Sequence, residues 1–217
     1  MDSKFEVFYF PIRGRAEFVR LVLAAAKANW ENKNVTDWSK EKFSTEGLLY
    51  KQVPMLIEHK SSGKELRLVQ TGSIVRYIAN KFNLVTDCPC KNALLDSYFE
   101  GLYEFINGVL KEVFSNRGKE NYDEILKEFL KSDFVKNNIS YQEAILASNG
   151  SNGHYMDDKL TYVDIIAYCF VDSYLNFPNL KGLFTKETTP NLLKVYETVG
   201  QNPDIAAYIK SDKRPAN

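Results

Sequence analysis

The chain has 217 residues, of which 44% are hydrophobic, so it can bury a sizeable core in one large domain or two small ones. Its 28 Lys and Arg residues balance its 28 Asp and Glu residues, which leaves no net field to attract nucleic acid or an anionic membrane. No run approaches the ~20 apolar residues of a membrane span, and the charged amino terminus lacks the apolar core of a secretion signal. We therefore expect a cytoplasmic protein that binds neither nucleic acid nor membrane.

The cysteine and histidine contents exclude several kinds of site. Cys88, Cys90 and Cys169 are an odd count without CxxC or zinc-like spacing, so we expect neither a disulfide framework nor a metal site. His59 and His154 are the only histidines, which argues against a histidine-based triad or metal cluster. The Cys88-Pro89-Cys90 run is interpreted as part of a linker without function.

The first 26 residues combine a strand and a helix around a short basic turn. The strand contains Phe5, Val7 and Tyr9 and ends before Pro11, which cannot donate to a sheet ladder. Apolar residues then recur at helical spacing over residues 18–25. The turn places a helix amino terminus at the carboxyl end of the strand, where anionic ligands bind. Taken alone, Tyr9 fits an ordinary strand aromatic equally well.

The next residues predict a small mixed sheet. Strands are expected at 30–35, 52–57 and 66–68, the last two forming an antiparallel hairpin. A short polar helix is expected at 37–42. A capped helix follows from residue 70, because hydroxyl side chains precede apolar residues at helical spacing there. The order βαβ and then ββα predicts a sheet with helices on its faces.

The remainder of the chain reads as helical after a break in periodicity near residues 83–91. An apolar stripe predicts a long helix at 93–109, and a second helix, with an interruption allowed, is expected at 122–146. Two short helices at 190–199 and 203–209 end the chain, each with Pro in its first turn. We expect a first domain at 1–82, a linker at 83–90 and an all-helical domain at 91–217.

A buried helix is also predicted over residues 162–175. Thr161 and Asp164 have the spacing of a capping box at its start, and Leu160 and Ile165 have that of a hydrophobic staple.

Four motifs are distributed over nearly the whole chain. They read Tyr-Phe-Pro-Ile-Arg-Gly-Arg-Ala-Glu at 9–17, Gln-Val-Pro at 52–54, Leu-Val-Gln-Thr at 68–71 and Leu-Thr-Tyr-Val-Asp at 160–164. In this order they resemble the successive signatures of cytosolic glutathione S-transferases of the tyrosine type. The third motif and Ala-Leu-Leu-Asp-Ser-Tyr at 93–98 look most like class alpha, whereas Trp38 with Lys42 looks like class sigma, so the class stays open.

The resemblance implies a fold and a chemistry. It implies an α/β thioredoxin-like domain that binds glutathione, followed by an all-α domain that carries the electrophile. Tyr9 would donate a hydrogen bond to the glutathione sulfur, with Arg15 assisting. A thiol has a pKa near ~8.5, and lowering it by about two units takes ~2.7 kcal/mol. A hydrogen bond to a charged group contributes ~1.5–3 kcal/mol, so the tyrosine could supply most of it.

The resemblance also assigns the contacts to the cysteinyl and γ-glutamyl parts of glutathione. Val53 would pair its backbone with the cysteinyl part, and Pro54 would be a cis proline that exposes those backbone groups. Gln70 and Thr71 would hold the γ-glutamyl carboxylate at a helix amino terminus, which favours anions.

Further contacts involve the glycyl end and a second subunit. Trp38, Lys42 and Gln52 would meet the glycyl end, although a solvated Lys42 is the plain alternative. Asp96 would reach the γ-glutamyl ammonium across a dimer interface. Tyr50 would insert into the partner subunit, so a homodimer is expected.

The electrophile pocket would be lined by apolar residues of both domains, although such residues at helical spacing are more often ordinary core. The residues assigned to it are Phe10, Ile12, Leu102, Tyr103 and Ile106.

The expected function is transfer of the glutathione thiolate to soft hydrophobic electrophiles, with glutathione as co-substrate and no cofactor. The alternatives on the same fold are isomerisation of a prostaglandin-type endoperoxide, reduction of peroxides by the bound thiolate, and a non-catalytic ligand carrier.

Overall fold

The computed structural model describes residues 3–175 and 177–216, which separate into two compact units. The first unit contains the described residues up to Leu84 together with those from Gln201 onwards, and the second unit is Val85–Gly200. The sequence-based division placed all of residues 91–217 in the helical domain and residues 83–90 in a linker. The structure differs because the last helix packs on the first one.

Four strands and nine α-helices lie within the described residues. The strands are β1 (Lys4–Tyr9), β2 (Asn29–Asn34), β3 (Met55–His59) and β4 (Glu65–Val69). The helices are α1 (Ala16–Ala25), α2 (Trp38–Ser44), α3 (Thr71–Lys81), α4 (Pro89–Asn116), α5 (Tyr122–Leu130), α6 (Asp133–Ser148), α7 (Tyr162–Tyr174), α8 (Pro190–Gly200) and α9 (Pro203–Ile209). This confirms the expected mixed sheet with helices, followed by a helical part.

The first unit is built on a sheet with strand order β2-β1-β3-β4. Strand β2 runs parallel to β1, and β3 is antiparallel to both β1 and β4. The central strands β1 and β3 are almost entirely buried, since both of their faces are covered. One side of the sheet carries an apolar cluster made of Phe8, Val35, Leu48, Met55, Ile57 and Val69.

Helix α9 belongs to the first unit because it packs on α1 and on β2. The Tyr208 ring meets the Trp30 ring edge-on at 5.6 Å between centroids. The Tyr208 hydroxyl donates to Glu17 on α1 at 2.9 Å, where both groups are buried. A contact between residues so far apart in the chain has no local sequence signal.

The helical unit follows the expected order of elements with two changes of boundary. Helix α4 begins at Pro89, inside the expected linker, and runs to Asn116 without a break. The expected helix at 122–146 is divided at Lys131 and Ser132, where the Ser132 side chain caps α6 by accepting from the Val135 N–H at 3.3 Å.

Helix α7 is the most buried helix in the described part of the second unit, and its start confirms the capping box. Asp164 accepts from the Thr161 N–H at 2.7 Å and from the Thr161 hydroxyl at 2.9 Å. Its other oxygen accepts from the Tyr155 N–H at 2.7 Å. Among the described residues, none of the helices combines the length and the apolar character that crossing a bilayer requires.

Candidate functional site

The strand register brings three of the predicted site segments, at Tyr9, 52–54 and 70–71, to one edge of the sheet. Phe8 pairs with Met55, and Met55 pairs with Val69. Tyr9 follows Phe8, Gln70 follows Val69, and the loop before β3 ends at the same level. Because β1 and β4 both run antiparallel to β3, their carboxyl ends lie at this edge together with the residues that precede β3.

Tyr9 lies at the end of β1 and its hydroxyl is held by the start of α1. The side chain is 8% exposed, and the Val35 N–H donates to the Tyr9 carbonyl oxygen at 2.9 Å. The Arg15 N–H donates to the Tyr9 hydroxyl oxygen at 3.1 Å. A hydroxyl that accepts one hydrogen bond becomes a stronger donor of its own proton. The arrangement therefore suits donation from Tyr9 to an anion.

The approach of the turn to Tyr9 requires a glycine. Gly14 has a φ of +42°, and a Cβ there would lie only 2.6 Å from the Tyr9 hydroxyl oxygen. Glycine adopts positive φ without strain and leaves room for the ring.

The start of α3 presents backbone donors beside two glutamine side chains. Gln70 precedes the helix with φ +75° and ψ 118°, a strained conformation for a residue with a side chain. Its Nε2 donates to Gln52 Oε1 at 3.3 Å, and Thr71 is buried in the first turn. Such strain is concentrated at ligand sites, and a helix amino terminus favours an anion.

The segment before β3 supplies the remaining backbone groups at this edge. The Val53–Pro54 peptide bond is cis, as expected. Pro54 is buried, and Val53 is half-buried against the apolar cluster of the sheet.

Trp38 and Lys42 lie on α2, and aromatic contacts connect Trp38 to the Tyr9 edge. The Trp38 ring meets the Phe10 ring at 5.4 Å, and Phe10 meets Tyr9 at 5.5 Å, both edge-on. The Lys42 ammonium lies 4.9 Å from the centre of the Phe43 ring. Within the described part of the chain, Lys42 has no carboxylate at ion-pair distance. It is a half-buried cation that a ligand carboxylate can neutralise.

Tyr50 and Asp96 were assigned to a dimer interface. Tyr50 is 71% exposed in a 3₁₀ turn with φ +61°. Leu49 and Phe43 are also exposed, and Lys51 Nζ lies 4.3 Å from the Phe43 ring centre, which connects the turn with α2. In the second unit, Asp96 is exposed on α4 and accepts from the Tyr162 hydroxyl at 2.6 Å. Their contacts with a partner stay predictions.

The residues assigned to the electrophile pocket differ in exposure. In the first unit, Phe10 is half-buried and Ile12 is exposed. In the second unit, Leu102 and Ile106 are fully buried, whereas Tyr103 is half-buried and stacks on Phe99 at 5.2 Å. Full burial is typical of helix-core residues, so the pocket role of Leu102 and Ile106 stays a prediction.

Comparison with known protein families identifies the family of this chain. A model of the glutathione S-transferase N-terminal domain matches residues 5–80, and a model of the C-terminal domain matches residues 103–212. The chain belongs to the glutathione S-transferase family. Glutathione S-transferase A2 of Homo sapiens is 33% identical over 197 residues, which are 86% of this chain and 84% of that protein.

Solved structures of glutathione S-transferases share the fold. A Nu-class enzyme from Haemonchus contortus is 25% identical with a TM-score of 0.79, covering 100% of this chain and 99% of its own. A monomeric glutathione S-transferase of Necator americanus, Na-GST-3, is 23% identical with a TM-score of 0.79, covering 96% and 97%. The thioredoxin-like first part and the helical second part of the fold were thus both predicted correctly.

The site of this glutathione S-transferase contains no metal cluster within the part of the chain that the structure describes. Three residues behind the Tyr9 edge were not predicted from the sequence: Glu17 and Arg20 on α1, and Asn32 on β2. Glu17 and Arg20 are fully buried in spite of their charge. The sequence did contain a signal for them, namely two opposite charges three residues apart inside an otherwise apolar helix. Charged residues are buried only when they are paired, so this pattern predicts a buried ion pair.

Proposed function

We propose that this protein binds glutathione at the sheet edge that carries Tyr9, ionises the glutathione thiol and transfers the thiolate to soft hydrophobic electrophiles. The observation that carries the proposal is the Tyr9 hydroxyl, which accepts from the Arg15 N–H at 3.1 Å at the amino terminus of α1. Its proton is then directed to the glutathione sulfur, where it stabilises the anion.

The energy needed for ionisation is of the size that this arrangement supplies. A decrease of about two units in the pKa of a thiol corresponds to ~2.7 kcal/mol. A hydrogen bond from Tyr9 to a thiolate contributes ~1.5–3 kcal/mol, and the α1 dipole adds ~0.3–1 kcal/mol. In the transfer step, the thiolate sulfur forms a bond to the electrophilic carbon, and a leaving group such as chloride departs with the bonding electron pair. The thiol proton passes to solvent.

The carboxylates at the two ends of glutathione would each be held by groups that carry positive charge or a positive partial charge. The γ-glutamyl carboxylate would sit at the amino terminus of α3, beside Gln70 and Thr71. The glycyl carboxylate would pair with Lys42, with Trp38 and Gln52 beside it. The cysteinyl backbone would bond Val53 next to Pro54, which brings the sulfur towards Tyr9.

Turnover of 1-chloro-2,4-dinitrobenzene with glutathione tests the proposal. Replacing Tyr9 by Phe should reduce kcat/KM by about 10- to 100-fold, since it removes a hydrogen bond of ~1.5–3 kcal/mol to a charged group. Tyr141→Phe is the matched control, because Tyr141 is exposed on α6. An inactive wild type, or equal activity of the two variants, contradicts the proposal.

We also propose that the protein acts in the cytoplasm as a homodimer in which Tyr50 enters the partner subunit and Asp96 reaches the partner's glutathione. The support is the exposed apolar surface formed by Phe43, Leu49 and Tyr50. Family membership alone does not decide the state, since Na-GST-3 is monomeric. Sedimentation should give a dimer that Tyr50→Ala shifts to monomer and Tyr141→Ala does not. A monomeric wild type contradicts the proposal.

A further inference from the structure

Arg20 is a buried charge on α1 whose guanidinium binds the backbone carbonyls of the turn after β1. It is fully buried, and its Nη1 donates to the carbonyl oxygens of Ile12 at 3.0 Å and Arg13 at 3.2 Å. Both carbonyls lie in the same turn as Arg15, whose N–H donates to the Tyr9 hydroxyl. The guanidinium therefore fixes the backbone that orients this hydroxyl.

Arg20 also lies next to the tyrosine ring. Its Cζ is 5.9 Å from the centre of the Tyr9 ring, within the ~6 Å range of cation–π attraction. Nε donates to Asn32 Oδ1 at 2.7 Å, and Nη1 lies 3.5 Å from a carboxylate oxygen of Glu17. In the described residues, Nη2 has no hydrogen-bond partner. A buried cation stays in place only through partners of this kind, so Asn32 and Glu17 determine its position.

The first of these partners, Glu17, is bound to the carboxyl-terminal segment, which we define as residues 203–216. Glu17 accepts from the Tyr208 hydroxyl at 2.9 Å and from Arg214 Nε at 2.8 Å. Burial and the neighbouring Glu17 carboxylate raise the pKa of the Tyr208 hydroxyl, so it remains a donor.

The second partner, Asn32, is bound to the same segment. Its side-chain amide donates to the Lys213 carbonyl oxygen at 2.8 Å while its oxygen accepts from Arg20. Arg13 Nε donates to the Pro215 carbonyl oxygen at 3.2 Å, which ties the turn itself to the segment. Both partners of Arg20 and the turn that it holds thus depend on one stretch of chain.

We propose that Arg20 is a positioning residue that fixes the turn at residues 12–15 against the Tyr9 hydroxyl, and that the carboxyl-terminal segment holds Arg20 in place through Glu17 and Asn32. The inference rests on the proposed function, in which Tyr9 stabilises the glutathione thiolate. Small displacements matter, because a misplacement of about 1 Å can reduce a rate by roughly 100-fold.

The test is the pH dependence of thiolate formation by bound glutathione, followed by its ultraviolet absorbance, together with kcat and KM. Arg20→Gln should raise the apparent pKa of the bound thiol by about one unit above the ~6.5 expected for wild type, so that kcat at pH 6.5 falls roughly fivefold with the thiolate fraction. The KM for glutathione should change by less than about threefold, because the groups at α3 and α2 stay in place. Arg117→Gln, at an exposed arginine of the second unit, is the matched control and should leave the thiol pKa, kcat and KM unchanged.

A purely structural role of Arg20 lowers stability without moving the apparent pKa of the thiol. A folded Arg20→Gln protein with the wild-type pKa and kcat therefore overturns the inference. If this variant does not fold, Asn32→Ala decides, with an expected rise of about half a unit and no rise as the overturning result.

The segment is tested separately with Arg214→Gln, which leaves Arg20 itself unaltered. It should raise the apparent pKa of the thiol by about half a unit, and a wild-type value overturns the role of the segment. A wild type that forms no thiolate contradicts the proposed function, whereas a normal wild type with unaffected variants contradicts only this inference.

Discussion

Replacing Gly14 by alanine should displace the Tyr9 hydroxyl and reduce activity far more than stability. The added Cβ would lie 2.6 Å from the hydroxyl oxygen and 3.0 Å from Cε1 of the ring. Carbon atoms in contact are normally ~3.5–4 Å from their neighbours, so the ring or the turn must move by about 1 Å. A displacement of about 1 Å can cost roughly 100-fold in rate, and we expect a loss of this order in kcat/KM for Gly14→Ala.

Gly63→Ala provides a matched control for the backbone cost of this change. Gly63 has a φ of +77°, and a Cβ there would have no atom within 4 Å. An alanine at positive φ costs roughly 1–2 kcal/mol, so both variants should lose this much stability, or roughly 2–8 °C in Tm for a chain of this size. Gly63→Ala should keep full activity.

The assay combines thermal unfolding with kcat/KM for glutathione in the conjugation reaction. A Gly14→Ala protein that is as active as Gly63→Ala would contradict this prediction, because the Tyr9 hydroxyl would then not need its observed position. A pair that differs in activity and has similar Tm values agrees with it.

Three further predictions concern other parts of the molecule. Asp164→Ala should lower the free energy of unfolding by about 3 kcal/mol, because it leaves the buried N–H groups of Tyr155 and Thr161 unpaired. Urea unfolding measures this loss, and a loss under about 0.5 kcal/mol contradicts the capping assignment. The Asp164 carboxylate, whose Oδ2 lies 3.6 Å from His154 Nδ1, raises the pKa of His154 above its ordinary 6.5, so the stabilising effect of protonated His154 is present below about pH 6.5 and is lost as the pH rises through the folded-state value. Wild type should therefore exceed His154→Gln in stability by more at about pH 6 than at pH 8, and a constant difference refutes the pairing. Lys42→Met should raise the KM for glutathione about fivefold with kcat unchanged, and an unaltered KM would show that this cation is merely solvated.

Elements with local signals were predictable from the sequence, whereas contacts distant in sequence were not. In the β1–α1 unit and at the start of α7, local residues mark the boundary of the element: Pro11 follows the strand, and Thr161 with Asp164 caps the helix. Strand β2 has the unfavourable sequence Asn-Trp-Glu-Asn-Lys-Asn and forms because it pairs in parallel with β1 and buries Trp30.

The same distinction holds for the site. Tyr9 and the segments at 52–54 and 70–71 were assigned to the site because their short motifs resemble those of the family, and their roles there stay predictions. Their meeting follows from the strand register, which aligns the ends of β1 and β4. The role of Arg20 depends on Asn32 and on a terminal segment nearly 200 residues away in sequence, and the spacing of residues along the chain contains no trace of such contacts.

The proposed transferase activity depends most directly on the ionisation of glutathione by Tyr9. Titration of the thiol of bound glutathione, by its absorbance in wild type and in Tyr9→Phe, measures this ionisation without any electrophile. We expect an apparent pKa about two units below the ~8.5 of a free thiol in wild type, and a return to near that value in Tyr9→Phe. Equal pKa values in the two proteins, or a wild-type value near that of the free thiol, would contradict it.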